Sequence, residues 1–121
     1  GKCMPDESPD ECMLREVLEE TGYTVSQWRY RGIVTFISDI WPSEYMHLFT
    51  ASQWSGTEIV CDEGDLCWIP KDHIFNLSLW EGDRIFLRLL MDDEQPFFSL
   101  KLIYEADTLV SAKLDGVELK L

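Results

Sequence analysis

The first 23 residues, GKCMPDESPDECMLREVLEETGY, constrain this chain more than any other stretch. Gly1, Glu7, Arg15, Glu16, Glu19, Glu20 and Gly22 stand at separations that gather carboxylates into one place. The local grammar is a loop, a helix and a loop. Ser8 sits at the N-cap position, Pro9 suits the first helical position, and Glu11 completes a capping box with Ser8. Gly22 supplies a C-cap that enters the left-handed region cheaply. Between those stops, Leu14, Val17, Leu18 and Thr21 form an apolar stripe. Glu16, Glu19 and Glu20 follow at i, i+3 and i+4 on another face.

Clustered like charges cost a helix about 0.2–0.5 kcal/mol per pair. No lysine lies between Lys2 and Lys71, so Arg15 is the local countercharge. A hard divalent cation with oxygen ligands removes the repulsion, and magnesium is the common choice where phosphate is also present. A solvated acidic face is the plainer reading of such a run. The longer pattern decides between them.

That pattern resembles the Nudix box: Gly, five residues, Glu, seven residues, Arg-Glu, an aliphatic, any residue, Glu-Glu, any residue, Gly and an apolar residue. Here it reads Gly1, Glu7, Arg15, Glu16, Val17, Leu18, Glu19, Glu20, Thr21, Gly22 and Tyr23, with aromatic Tyr23 standing where the family has an aliphatic. The resemblance implies a phosphoanhydride hydrolase with magnesium (manganese as a substitute) held by Glu16, Glu19 and Glu20. Arg15 would tie down the loop by pairing with a carboxylate, and Glu7 would orient the box from behind the metal ligands.

A length of 121 residues suits one domain, with the box at 1–23. Five Trp, six Phe and four Tyr within an apolar fraction of 45% are ample for a core. A net charge of −13 leaves no basic patch for nucleic-acid backbone. A small phosphorylated ligand escorted by a metal stays compatible, because the metal carries positive charge. No apolar run spans a bilayer and no signal peptide precedes the box, so the expected location is the cytoplasm. Oligomeric state is not legible.

Cys3, Cys12, Cys61 and Cys67 contain no Cys-x-x-Cys spacing, which argues against zinc. The even count permits disulfides, but buried reduced thiols in a cytosolic chain are the expectation, with Cys12 and Cys67 acting as small hydrophobes. His47 and His73 are isolated.

Beyond the box, strands are predicted over Gln27–Ser38 and Tyr45–Trp54, a loop over Ser55–Gly64, and a short buried strand over Leu66–Ile69. A helical turn follows near His73 and Ile74, then a helix over Trp80–Met91, then a hairpin turning at Glu105–Asp107. Strands with two helices imply an α/β/α sandwich with a mixed central sheet. The Nudix fold is of that kind. Family members carry further strands before the box, so the chain reads as an incomplete domain whose N-terminal strands are missing.

Downstream, CDEGDLCWIPKDHI, LWEGDRIFLRLL and FFSLKLIYEADTLV resemble the MutT-like branch acting on oxidised purine nucleoside triphosphates, such as 8-oxo-dGTP. That resemblance implies that Glu63, five residues before Trp68, completes the metal site. It also implies that Trp80 stacks on the base and Asp83 hydrogen-bonds its edge. Gly82 departs from the mammalian pattern, which has a second acid there. The plainer readings are a core Trp80, an Asp83 that complements a helix dipole, and a solvated Glu63. Hydrolases of ADP-ribose or dinucleoside polyphosphates share the same box. A Nudix-fold binding module with a decayed box is a further alternative, against which Glu16, Glu19 and Glu20 all stand intact.

Overall fold

The computed structural model describes residues 2–60 and 66–121. The elements are α1 (Pro9–Thr21), β1 (Tyr23–Ser38), β2 (Glu44–Gly56), a 3-10 turn (Lys71–Asn76), α2 (Glu81–Met91), β3 (Phe98–Glu105), β4 (Thr108–Leu114) and β5 (Val117–Glu118). The strands form one mixed sheet in the order β2-β1-β3-β4-β5. The mixed α/β class expected from the sequence is the class observed. Among the described residues, no helix is long and apolar enough to cross a membrane.

The chain groups into two compact units, Gly1–Tyr30 with Phe49–Trp68, and Arg31–Leu48 with Ile69–Leu121. In the first, α1 starts and stops where its caps dictate. The Ser8 amide donates to Glu11 Oε1 at 2.9 Å, and the Glu11 amide donates back to Ser8 Oγ at 3.3 Å. Gly22 ends the helix at φ +82° and donates its N–H to Leu18 O at 2.9 Å. A Cβ at Gly22 would also collide with the Thr57 carbonyl and with Ile59, whose N–H bonds Thr21 O at 3.0 Å. This turn therefore requires glycine for both conformation and space. Further along, the rings of Tyr30 and Phe49 stack at 4.6 Å.

The second unit holds the apolar core. Strand β3 alternates cleanly, with Phe98, Leu100, Leu102 and Tyr104 buried and the residues between them facing outward. Gly32–Ser38 of β1 runs parallel to β3, and β4 returns antiparallel from Glu105↔Thr108 to Leu100↔Leu114. Val34, Leu48, Leu109 and Ala112 complete the buried set, and Ile85, Phe86, Leu89 and Leu90 of α2 pack on it. Arg31, only 2% exposed, donates to Leu90 O at 3.2 Å and Asp92 O at 2.6 Å. A buried cation thus meets the negative end of α2, where helix carbonyls lack partners of their own.

Three local expectations need correction. Leu66–Ile69 forms no strand, and its side chains are exposed. Alternation there is too short to specify pairing, and Pro70 removes a donor. Leu18 is 48% exposed, and Cys12 is the buried residue of α1. Cys67 is exposed, whereas Cys12 is buried as expected.

Candidate active site

Arg15 organises the acidic face of α1. Its Nε donates to Glu7 Oε2 at 2.8 Å and its Nη2 to Glu7 Oε1 at 3.0 Å, a two-pronged pair across the loop that precedes the helix. Nη2 also reaches the Lys2 carbonyl at 3.0 Å. Nη1 reaches Glu16 Oε1 and Glu19 Oε2, both at 3.1 Å. A guanidinium has five N–H donors, and here five oxygens receive them. The hydrogen bonds from Arg15, then the Met4 amide, hold the Glu7 carboxyl below the usual range. The same contacts, Glu7 foremost, keep Arg15 firmly protonated.

Glu7, Glu16 and Glu19 thus place three negative charges around one positive charge. Glu20 follows Glu16 by one helical turn and is half-buried. Among the described residues, no three His, Cys, Asp or Glu side chains converge on a common point that would hold a metal. Arg15 lies between the carboxylates instead. The donor set is nevertheless all carboxylate oxygen, the chemistry a hard divalent cation takes, and its excess charge fits such an ion. Glu16, Glu19 and Glu20 are the residues of α1 that would hold it. Glu63 lies outside the described residues, as do Gly1 and Cys61.

The same unit contains a cavity of about 410 Å³, absent from the sequence reading. Val17 of α1, Tyr23, Phe49, Trp54 and Trp68 line it, and Glu58 places an acid in its wall. Trp54 stacks on Trp68 at 5.8 Å, and Tyr23 tilts against Trp68 at 6.1 Å. Tyr23 in place of an aliphatic was the available signal: its ring joins an aromatic wall.

Trp80 and Asp83 belong to the second unit. Trp80 is half-exposed, and its ring stands edge-on to Tyr104 at 5.4 Å and 82°. Asp83 Oδ2 accepts the Trp80 amide at 3.2 Å, closing the first turn of α2. Gly82, between them, is buried, and its N–H donates to the Tyr104 hydroxyl at 2.8 Å. A Cβ there would lie 2.5 Å from both Tyr104 Oη and Leu102 Cδ1. An acid at this position would require Tyr104 or Leu102 to shift.

Comparison with known proteins follows the same lines. Residues 1–90 match the family described as NUDIX domain. Among solved structures, the chain is similar to a mutator MutT protein from Bacillus halodurans, with a TM-score of 0.85 and 29% identity. That match covers 95% of this chain and 78% of the other. The mixed α/β fold of this chain, with its five-stranded sheet, matches the fold of that neighbour.

Proposed function

The chain belongs to the Nudix family, and from that premise we propose that it hydrolyses an oxidised purine nucleoside triphosphate, such as 8-oxo-dGTP, to the monophosphate and pyrophosphate with magnesium. That the chain is a Nudix pyrophosphohydrolase acting on small nucleotide substrates follows from the family and its MutT-like neighbour. Substrate, metal and residue roles are the proposal. The observation that carries it is the Arg15 hub, which aligns Glu16 and Glu19 on one face of α1.

Pyrophosphate hydrolysis needs a positioned water, neutralised phosphate oxygens and little covalent participation by protein. Glu16, Glu19, Glu20 and Glu63 would hold magnesium, which when bound lowers the pKa of its water and offsets phosphate charge. Glu16 or Glu63 accepts the proton of the attacking water as general base. Arg15 and Glu7 position the face without themselves attacking. Trp80 stacks on the base, and Asp83 reads its edge through Oδ1 while Oδ2 stays on the Trp80 amide. Clearing damaged nucleotides from the cytoplasmic pool is the role this reading assigns.

Gly82 favours keeping a second reading, a different nucleoside diphosphate derivative such as ADP-ribose or a dinucleoside polyphosphate. With no side chain at residue 82, base discrimination falls on Asp83 alone. Comparing kcat/KM across oxidised and canonical purine triphosphates, a pyrimidine triphosphate, ADP-ribose and a dinucleoside polyphosphate separates the two. A preference of tenfold or more for the oxidised purine supports the first reading. Equal rates on purines and pyrimidines, or preference for ADP-ribose, support the second.

A further inference from the structure

The cavity of about 410 Å³ has no part in the proposed hydrolysis, and neither Arg15 nor the α1 glutamates line it. It lies wholly within the first compact unit. Three of its lining residues are aromatic and pack on one another. Trp68 is the common member: Trp54 stacks on it at 5.8 Å with the planes 24° apart, and Tyr23 meets it at 6.1 Å with the planes 58° apart. These rings are packed together yet remain open, with Trp68 66% exposed and Trp54 43%. A core cluster would close over its indoles, whereas this one leaves indole surface available.

Among the described lining residues, Glu58 alone carries a formal charge, and no Lys, Arg or His accompanies it. The backbone fixes its position from both sides. The Ile59 amide donates to Thr21 O at 3.0 Å, and the Thr57 carbonyl lies so close to Gly22 that a Cβ there would collide with it. Glu58 is thereby held beside the turn that leads into Tyr23.

We propose that this cavity binds a small organic cation, a quaternary ammonium compound, with its charged head against the Trp68, Trp54 and Tyr23 rings and its charge balanced by Glu58. Aromatic faces attract a cation lying within about 6 Å of the ring centroid. With centroids spaced 5.8 and 6.1 Å about Trp68, one ammonium head can reach more than one ring. A quaternary head has no N–H groups to satisfy, so a wall poor in acceptors suits it. Phosphate and other anions are disfavoured by Glu58, and a neutral apolar molecule would leave its carboxylate uncompensated. The volume falls within the range of small-molecule pockets, and the net charge of −13 raises the local concentration of cations.

The test titrates the full chain calorimetrically, without nucleotide or magnesium, against choline and against its uncharged carbon isostere, 3,3-dimethylbutan-1-ol. Choline should bind one to one with a Kd of about 1 mM or tighter. The alcohol should bind at least about tenfold more weakly. Glu58→Gln and Trp68→Leu, both at exposed positions, should each weaken choline binding by about tenfold at an unchanged melting temperature. Equal binding of the alcohol, no saturable choline binding, or choline binding undiminished in both variants overturns the proposal. The last result would put the cation elsewhere on the acidic surface. No nucleotide enters the titration, so its outcome is independent of which substrate the protein hydrolyses.

Discussion

The backbone N–H of Gly82 donates to the Tyr104 hydroxyl at 2.8 Å, which sets the start of α2 against the core strand β3. Tyr104 is itself held, with Phe36 stacked on it at 4.9 Å and Trp80 edge-on at 5.4 Å. A substitution at Gly82 must push against this group. Ala in a helix gains about 1 kcal/mol over Gly, whereas forcing an extra methyl into a packed site costs about 1–3 kcal/mol. Here the clash is 2.5 Å on two sides, and Leu102 is fully buried, so the steric cost wins. Gly82→Ala should lower stability by up to about 2 kcal/mol net. Denaturant titration checks this, and a stabilised variant would contradict the packing.

Tyr104→Phe leaves the buried Gly82 amide without its acceptor. The expected loss is about 1–3 kcal/mol. Burial, above all, holds the Tyr104 phenol above its ordinary 10, so folding favours the neutral form. The stability this gives is complete below pH 10 and is lost as pH rises through the folded-state value. Alkaline melting curves should therefore converge for wild type and Tyr104→Phe, having differed at neutral pH.

The Arg15–Glu7 pair makes the opposite prediction in acid. Glu7 is held below 4.5, so its contribution is complete above that pH and fades as pH falls through the lowered value. Glu7→Gln should melt lower than wild type at neutral pH, and the gap should narrow below 4.5. Because Glu7 steadies Arg15 and Arg15 spans Glu16 and Glu19, the variant should also lower kcat. A gap that widens in acid would contradict the assignment.

Magnesium should raise the melting temperature at neutral pH, since a ligand at a hundred times its Kd adds about 2.7 kcal/mol to the folded state. The shift should shrink in acid as protons compete for the carboxylates. Unchanged melting in millimolar magnesium at neutral pH would count against metal binding at α1.

Local rules carried far here, and their reach has a physical limit. Ser8, Glu11 and Gly22 specify α1 because each acts within four residues, and the hairpin at Ala106–Asp107 is similarly local. Pairing of Arg15 with a carboxylate was legible from the box, and in the fold its partners are Glu7, Glu16 and Glu19. What escaped depends on contacts distant in the chain. Leu18 is apolar yet exposed, and Trp68 finds Tyr23 and Trp54 without forming a strand. Arg31 is buried because α2 ends beside it 59 residues later. The absence of room at Gly82 depends on Tyr104, which no spacing rule connects to it.

The central claim is that the α1 glutamates carry out metal-dependent cleavage of a nucleotide phosphoanhydride. It is tested most directly by incubating wild type, Glu20→Gln and Leu102→Ala with 8-oxo-dGTP, with and without magnesium, and resolving monophosphate, diphosphate, pyrophosphate and phosphate. Wild type should release monophosphate and pyrophosphate only with magnesium. Glu20→Gln should lose activity by orders of magnitude at unchanged melting temperature. Leu102→Ala should lose about 2–5 kcal/mol of stability while its folded fraction keeps turning over. Near-normal turnover by Glu20→Gln, or equal release without any divalent metal, would contradict the account.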